Sequence, residues 1–193
     1  MHLDHPCTGM LSCVGRRVRV VGSSGSGKST LATELARQLG VPHLELDAVN
    51  HRSGWQEAPA QEFRSEVAAF LDQAEREHGG WVVDGNYRSR GGTGFEAADT
   101  VVWLDHPRWF VIQRLVRRTA SRLLLRRELW NGNREQWRNA VSTDPVRNVV
   151  LWSWRHHDQL RQRYSTMAAD DPRVVRLAGP RQVRQWLRRQ SSG

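Results

Sequence analysis

A glycine-rich stretch near the N-terminus carries the residues best suited to chemistry. Residues 22–29 read GSSGSGKS, so a lysine and a serine directly follow a glycine turn. A β-branched run, RRVRVVG, precedes the turn, and Leu31, Leu35 and Leu39 follow it at helical spacing. A strand, a glycine turn and a helix N-terminus direct several backbone N–H groups at one anion. The pattern G-x-x-x-x-G-K-S therefore predicts a site for the phosphates of a nucleotide.

The composition singles out the lysine of this stretch. Lys28 is the single lysine of the chain, and the other 28 of its 29 basic residues are arginines. A compact ammonium fits between a backbone turn and a phosphate better than a planar guanidinium does. We expect Lys28 to bind the β- and γ-phosphates of ATP and the Ser29 hydroxyl to ligate Mg²⁺. The residues of the turn predicted to bind ATP are Gly22, Ser23, Ser24, Gly25, Ser26, Gly27, Lys28, Ser29 and Thr30.

Three downstream segments predicted as strands end in an acid or close to one. Asp47 closes HLELD, Asp84 precedes the turn Gly85-Asn86, and Asp105 closes VVWLD. The carboxyl ends of parallel strands meet at the edge of the sheet that holds the phosphate turn. Asp84 is predicted to hold Mg²⁺ with Ser29, through water. Asp105 is followed by a helix and is predicted to be its N-cap.

Asp47 has two interpretations. In a phosphoryl-transfer enzyme, an acid at this strand end faces the acceptor and takes its hydroxyl proton. Alternatively, Asp47 caps a turn. The following segment, AVNHRSGWQEAP, brings Arg52 and Trp55 to the acceptor side, where Trp55 either forms a pocket wall or packs under the next helix.

The rest of the chain alternates between strand and helix patterns. Strands are predicted over 16–22, 41–47, 80–87, 99–105 and 173–179, with helices over 29–40, 59–77, 107–129 and 181–190. Nearly continuous apolar strands in this order predict an α/β, three-layer fold with a five-stranded parallel sheet. We expect one domain over 16–190 and a disordered arm over 1–15.

Charge divides the chain into two halves. Up to Asp105 there are ten basic and fourteen acidic residues, whereas nineteen arginines face six acids after it, and the total is +9. Such an excess indicates a polyanionic partner, either nucleic acid or the phosphates of a nucleotide. Residues 114–164 interleave arginines with four tryptophans, and they predict an arginine-rich helical lid that closes over ATP. Plain helical packing and a nucleic-acid surface are the alternatives. The tryptophans are Trp130, Trp137, Trp152 and Trp154.

The sequence gives no sign of a membrane protein. No stretch approaches the ~20 apolar residues that span a bilayer, and the N-terminus lacks a signal-peptide pattern. We expect a cytoplasmic protein without a membrane partner. His156 and His157 have no neighbouring acid or cysteine that would complete a metal site, and we expect both at the surface.

The order of these motifs resembles the adenylate kinase-like branch of P-loop kinases. In those enzymes D-G-x-x-R follows the third strand, as in residues 84–88, and two arginines lie nine and thirteen residues after the acid of the fourth strand. The resemblance implies that Arg88 faces phosphate on the acceptor side. It also implies that Arg114 packs against adenine and that Arg118 contacts the nucleotide phosphates.

Four segments are similar to small P-loop proteins labelled DNA topology modulation proteins or adenylate kinase-like ATPases. They are HLELDAVNHRSGW, WVVDGNYRS, DTVVWLDHPR and ELWNGNRE. This resemblance implies a nucleotide-binding fold, and the label implies a regulatory effect. The segment after Asp47 lacks the AMP-site pattern of adenylate kinase.

Three functional hypotheses follow, and the third and plainest of them is a nucleotide-binding protein without turnover. The first is an ATP-dependent phosphotransferase that acts on a small-molecule or nucleotide acceptor, with Lys28, Asp47, Arg114 and Arg118 as catalytic residues. The second is a regulatory ATPase that binds nucleic acid through its basic C-terminal half.

Overall fold

A computed structural model describes residues 14–87, 95–125, 128–133, 142, 144 and 148–190. Its strands are β1 (Arg17–Gly22), β2 (His43–Glu45), β3 (Trp81–Asp84), β4 (Thr100–Leu104) and β5 (Val174–Leu177). Its helices are α1 (Lys28–Leu39), α2 (Leu46–Asn50), α3 (Ala60–His78), α4 (Arg108–Leu124), α5 (Val149–Asp170) and α6 (Pro180–Gln190). The predicted α/β fold with a five-stranded parallel sheet is confirmed.

The strand order places the nucleotide-binding motif at the centre of the sheet. The order is β2-β3-β1-β4-β5, and every pairing is parallel. The register sets Asp84 beside Val20 on one side and beside Glu45 on the other. The carboxyl ends of β1, β2 and β3 therefore meet at one edge of the sheet.

Side-chain alternation along the strands builds two cores. Val18 and Val20 of β1 pack with α1 and α6, whereas Val21 points to the opposite face, where α3 and α5 lie. β3 and β4 alternate in the same way, because successive residues of a strand point to opposite faces. The sheet is therefore the middle layer of three.

Two strand-end predictions differ from the structure. β2 has only three residues and leads straight into α2, so Asp47 lies on a helical turn and not at the end of a strand. The predicted N-cap at Asp105 is wrong, because Pro107 precedes α4 and no described side chain caps this helix. The buried Asp105 carboxylate instead pairs with Arg176 of β5 and Arg161 of α5. A buried carboxylate is stabilised by such cationic partners.

The surface position predicted for His157 is also wrong. Its side chain is buried, and Nε2 donates to the His106 carbonyl oxygen over 3.1 Å. His156 is half-buried, and its ring stacks on Trp152 with a centroid distance of 4.5 Å. Helical spacing alone does not reveal that this part of α5 packs against the start of α4.

The ends of the chain leave two predictions open. Residues 1–13 of the predicted arm, which include most of it, lie outside the described residues, and the single-domain boundary stays a prediction. Trp137 of the predicted lid also lies outside them. Of the helices in the described ranges, none combines the length and the apolar character that crossing a membrane requires.

Candidate functional site

Glycine conformation shapes the turn between β1 and α1. Gly22, Gly25 and Gly27 have φ angles of 146°, 82° and 98°, which L side chains rarely adopt. Space is also short at the first of them, since a Cβ on Gly22 would lie 2.8 Å from the Leu104 carbonyl oxygen. The turn, which we call the phosphate loop (residues 22–29), therefore depends on glycine at these positions.

The phosphate loop ends at a helix N-terminus that is open to a ligand. The first backbone bond of α1 runs from the Leu31 N–H to the Gly27 carbonyl oxygen, and no described side chain caps the preceding N–H groups. Lys28 Nζ donates to the Ser23 carbonyl oxygen over 3.3 Å and so folds back over the loop. Free N–H groups and an ammonium around one turn fit a phosphate anion.

Two carboxylates flank the Ser29 hydroxyl. Ser29 Oγ donates to Glu45 Oε1 over 2.8 Å and lies 3.4 Å from Asp84 Oδ1. Asp84 is fully buried, and its Oδ2 contacts His43 Nε2 over 3.0 Å, which fixes the carboxylate. Three oxygen-bearing side chains beside a phosphate site fit a hard divalent cation such as Mg²⁺.

This oxygen set does not form a closed cage. Within the described ranges, no group of three or more His, Cys, Asp or Glu side chains is arranged to hold a metal. Mg²⁺ commonly keeps several waters and binds through one or two carboxylates plus substrate phosphates. The open arrangement around Ser29 is consistent with a cation that arrives with a nucleotide.

Sequence analysis missed Glu45 and His43. Glu45 is the first acid of the LELD segment, two residues before Asp47, and only the later acid was assigned a role. The strand register would have identified Glu45, because it places Glu45 beside Asp84 across the β2–β3 pair. Glu45 Oε2 also accepts from Trp130 Nε1 over 2.8 Å, so this acid connects the phosphate loop to the segment around Trp130.

Asp47 faces the same cavity from α2. Its Oδ1 accepts a hydrogen bond from the Tyr87 hydroxyl over 2.7 Å. The Tyr87 ring packs on Phe63 of α3 with a centroid distance of 5.3 Å. The core thereby fixes the orientation of a carboxylate that lines the cavity.

Three rings form what we call the aromatic wall: His51, Trp55 and Trp130. Their centroids lie 5.5 to 6.5 Å apart. Trp55 has a φ of 60°, which is strained for a bulky residue. The buried Asn133 holds it there, since Asn133 Oδ1 accepts from the Trp55 N–H over 2.9 Å. Strain of this kind at a pocket wall indicates a functional position.

One cavity of about 1110 Å³ joins the phosphate loop to the aromatic wall. The predicted site residues that line it are Ser24, Gly25, Gly27, Lys28, Ser29, Thr30, Asp47, Trp55, Arg114 and Arg118. Four further predicted residues are buried beside it, namely Gly22, Ser23, Ser26 and Asp84.

The two arginines predicted for the acceptor side have different outcomes. Arg52 lies outside the lining of the cavity, because the Arg52 guanidinium pairs with Glu62 of α3. Arg88 falls in residues 88–94, outside the described part of the chain. The acceptor side of the described cavity therefore consists mainly of Asp47 and the aromatic wall.

α4 contributes cationic groups to the lining of the cavity. The Arg114 guanidinium lies over Gly27, since a Cβ built there would be 3.3 Å from Arg114 Nη2. Arg118 lies one turn further along α4 and also lines the cavity. Burial lowers the pKa of the nearby His106, and the charge of Arg114 lowers it further. The neutral form of His106 is therefore favoured beside the phosphate loop.

Comparison with known proteins shows which family the chain belongs to. The chain shares its fold with an unliganded sugar kinase structure from Janibacter sp., at 18% identity over 92% of each chain and a TM-score of 0.51. No curated protein matches the chain. The sequence profile described as shikimate kinase matches residues 24–150, which run from the phosphate loop into α5 and cover more than half of the chain. The chain therefore belongs to the shikimate kinase family of P-loop kinases.

Proposed function

We propose that this P-loop kinase transfers the γ-phosphoryl group of ATP to a hydroxyl of a small molecule. One observation carries the proposal: a single cavity joins the phosphate loop to a fixed carboxylate and an aromatic wall. A phosphoryl donor and an acceptor must lie in one enclosed space for direct transfer. A lid over residues 114–164, which include most of α4 and most of α5, would complete that enclosure.

The donor end binds the triphosphate. Lys28 and the N–H groups of the loop contact the β- and γ-phosphates, and Lys28 gives up its hydrogen bond to the Ser23 carbonyl to do so. Arg114 packs against adenine, and Arg118 neutralises charge on the phosphates. Their shared location on one side of the cavity supports this assignment.

Ser29, Glu45 and Asp84 would hold Mg²⁺, partly through water. When bound, the ion would neutralise negative charge on the phosphates. His43 orients Asp84 through its contact with Oδ2 and leaves Oδ1 directed at Ser29. Such supporting contacts fix the direction of metal-binding carboxylates.

Asp47 is the proposed general base. As the acceptor oxygen bonds to the γ-phosphorus, the bond from that phosphorus to the β–γ bridging oxygen breaks, and ADP leaves. The hydroxyl proton of the acceptor passes to the Asp47 carboxylate. Tyr87 donates to Oδ1 and so keeps the carboxylate aimed into the cavity.

The acceptor is proposed to be a small hydroxylated ring. The matching family is described as shikimate kinase, and the structural neighbour is titled a sugar kinase. Aromatic faces such as those of Trp55 and Trp130 suit the apolar face of a ring, whereas Asp47 suits its hydroxyls. Shikimate and simple sugars are therefore the first acceptors to test, with nucleosides and nucleotides as the second group.

The decisive experiment measures ATP-dependent ADP release with a panel of acceptors, and mass spectrometry identifies the phosphorylated product. We expect one hydroxylated ring compound to raise ADP release well above the rate without acceptor. The Asp47→Asn variant serves as the control that retains the cavity. Equal ADP release with and without every compound would replace the kinase proposal with a plain ATPase.

A second candidate function has its own observation. α6 carries Arg181, Arg184, Arg188 and Arg189 and no acidic residue, and the C-terminal half of the chain is strongly basic. The resemblance to DNA topology modulation proteins points the same way, towards a regulatory ATPase on nucleic acid. Such binding should weaken steeply between low and moderate salt. A flat salt response, or no binding in dilute buffer, would exclude it.

A further inference from the structure

The short segment that follows β3 contains an amide to which the proposed function assigns no role. Asn86 contacts the first residue of the phosphate loop with both ends of its side chain. Its Nδ2 donates to the Gly22 carbonyl oxygen over 2.8 Å, and its Oδ1 accepts from the Gly22 N–H over 3.2 Å. One side chain thus satisfies both backbone groups of a single residue.

The Asn86 amide supplies the hydrogen bonds to Gly22 that a longer β3 would supply through its backbone. The β1–β3 register ends at Val20 and Asp84, after which the Gly85 N–H bonds to the Val20 carbonyl. Gly85 then adopts a φ of 138°, and the described ladder goes no further along β3. A primary amide has the same donor and acceptor as a peptide group. The Asn86 side chain therefore extends the pairing of β1 from Val20 to Gly22, the first residue of the phosphate loop.

A tyrosine from α5 fixes the orientation of this amide. The Tyr164 hydroxyl donates to Asn86 Oδ1 over 3.0 Å, so the amide oxygen accepts from two donors. Tyr164 is buried, and its ring lies 6.0 Å from that of Trp103 in the sheet. Because both donors meet the oxygen, the nitrogen must face the Gly22 carbonyl.

We propose that Asn86 is a positioning residue for the phosphate loop and that Tyr164 sets its orientation. Gly22 is the residue at which β1 becomes the loop, so fixing its N–H and its carbonyl fixes the direction in which the loop departs. The N–H groups that bind β-phosphate are then preorganised. This inference rests on the proposed function only in requiring that the loop bind a nucleotide, and it is independent of the acceptor.

Nucleotide binding in the absence of acceptor tests the proposal. Calorimetry with Mg²⁺ compares ADP, whose β-phosphate lies in the loop, with AMP, which lacks it. In Asn86→Ala we expect the affinity for ADP to fall about tenfold, because two hydrogen bonds that fix the loop are lost. The affinity for AMP should stay within about twofold, since only the β-phosphate reports on the loop.

Two further variants separate the contacts. Asn86→Asp keeps an acceptor for Gly22 and Tyr164 but directs an oxygen at the Gly22 carbonyl, so it should lose affinity for ADP as Asn86→Ala does. Tyr164→Phe keeps the ring against Trp103 and removes only the hydroxyl, and we expect about a threefold loss for ADP. Adding Tyr164→Phe to Asn86→Ala should cost nothing more, because the two residues act through one contact.

Gln190→Ala is the matched control. Gln190 Oε1 accepts from the Val14 N–H and Nε2 donates to the Trp186 carbonyl, so it makes the same kinds of bond outside the cavity lining. Its affinities for ADP and AMP should equal those of the parent. Unchanged affinity for ADP in Asn86→Ala, or an equal loss for ADP and AMP, would overturn the positioning role.

The outcomes also separate this proposal from the proposed function. A parent protein that binds neither ADP nor ATP would refute both. A parent that binds them while Asn86→Ala binds ADP equally well would refute the positioning role alone. If Asn86→Ala does not fold, Tyr164→Phe decides, since an unchanged ratio of ADP to AMP affinity in that variant would equally refute the role.

Discussion

The two ends of the cavity are built in different ways. The phosphate end consists mainly of backbone, namely the glycine turn and the open N-terminus of α1, to which the side chains of Lys28, Ser29, Arg114 and Arg118 are added. The acceptor end consists of side chains from separate segments, namely Asp47 on α2, Tyr87 after β3, and the aromatic wall. A site made of backbone binds what every nucleotide shares, whereas a site made of side chains can change its ligand by substitution.

Glu45 connects the two ends. One of its oxygens accepts from Ser29 in the phosphate loop, and the other accepts from Trp130 in the aromatic wall. Most substitutions should therefore affect only the phosphate end or only the acceptor end of the cavity, whereas a substitution of Glu45 should affect both. Substitutions at each end of the cavity, and at Glu45, test how independent the two ends are.

The largest effect is expected at the acceptor end, in Asp47→Asn. Asparagine can still accept from the Tyr87 hydroxyl, so the geometry is retained while the base is removed. The rate of phosphoryl transfer should fall about 10²- to 10⁴-fold, as is typical for loss of a general base. The dissociation constant of ATP, measured by calorimetry, should stay within about twofold. Transfer at the parental rate would remove Asp47 from the reaction.

At the phosphate end, Lys28→Ala should lower kcat/KM for ATP about 10²- to 10³-fold, because a charge that stabilises the transferring phosphoryl group is lost. Steady-state ADP release at varied ATP gives this ratio. Lys28→Arg sharpens the comparison, since a planar guanidinium does not fit the turn and should fare little better. Full activity in Lys28→Arg would show that only charge matters there.

Glu45→Gln addresses the connection. Loss of the carboxylate beside Ser29 should raise the Mg²⁺ concentration for half-maximal activity about 10- to 100-fold. A titration of ADP release with Mg²⁺ measures the shift, with Glu62→Gln as a control, because Glu62 pairs with Arg52 outside the cavity. An unaltered Mg²⁺ requirement would leave Asp84 and Ser29 as the whole protein contribution to the metal site.

Trp55→Gly tests the aromatic wall. Loss of the ring should raise KM for the acceptor about tenfold and leave KM for ATP unchanged. Glycine tolerates the φ of 60° at this position, so Trp55→Gly should be more stable than Trp55→Ala by about 1 kcal/mol. Urea unfolding of the two variants measures that difference. A rise in KM for ATP would show that the wall also serves the phosphate end.

The smallest effect concerns pH. Burial lowers the pKa of His106, so on acidification the unfolded chain takes up a proton on this ring, near pH 6.5, before the folded protein does. The unfolded state then binds more protons, and the free energy of unfolding should fall as the pH drops below that value. Urea unfolding at pH 7.5 and 5.5 tests this, and His106→Gln should reduce the difference. An equal pH dependence in both proteins would assign it to other groups.

The same division explains what the sequence predicted. The phosphate loop is a contiguous motif whose glycines and lysine specify its conformation, so its residues could be predicted directly from the sequence. The parallel sheet followed from β-branched runs alternating with helical patterns, and the structure confirms it. Local sequence is sufficient to predict a site when that site is formed by the backbone conformation of one contiguous segment.

The acceptor end was less predictable because its residues meet only in the folded protein. Nothing near Glu45 in the sequence indicates that Trp130 will bond to it. Asp105 was assigned to a helix cap from its neighbours, yet its partners Arg161 and Arg176 come from elements far along the chain. The sequence indicates only that Asn86 belongs to a turn. Its hydrogen bonds to Gly22 depend on the register of β1 and β3, which local sequence does not specify.

The central position of β1 has a consequence for how the chain folds. β1 precedes both of its partner strands in the chain, and these begin only at Trp81 and Thr100. Pairings between distant segments form slowly, because the entropy cost of closing a long loop comes before the strand contacts contribute any stability. During synthesis β1 therefore stays unpaired until β3 has emerged from the ribosome, and one of its edges stays open until β4 follows. A chaperone that covers apolar strands should act on this protein within that interval.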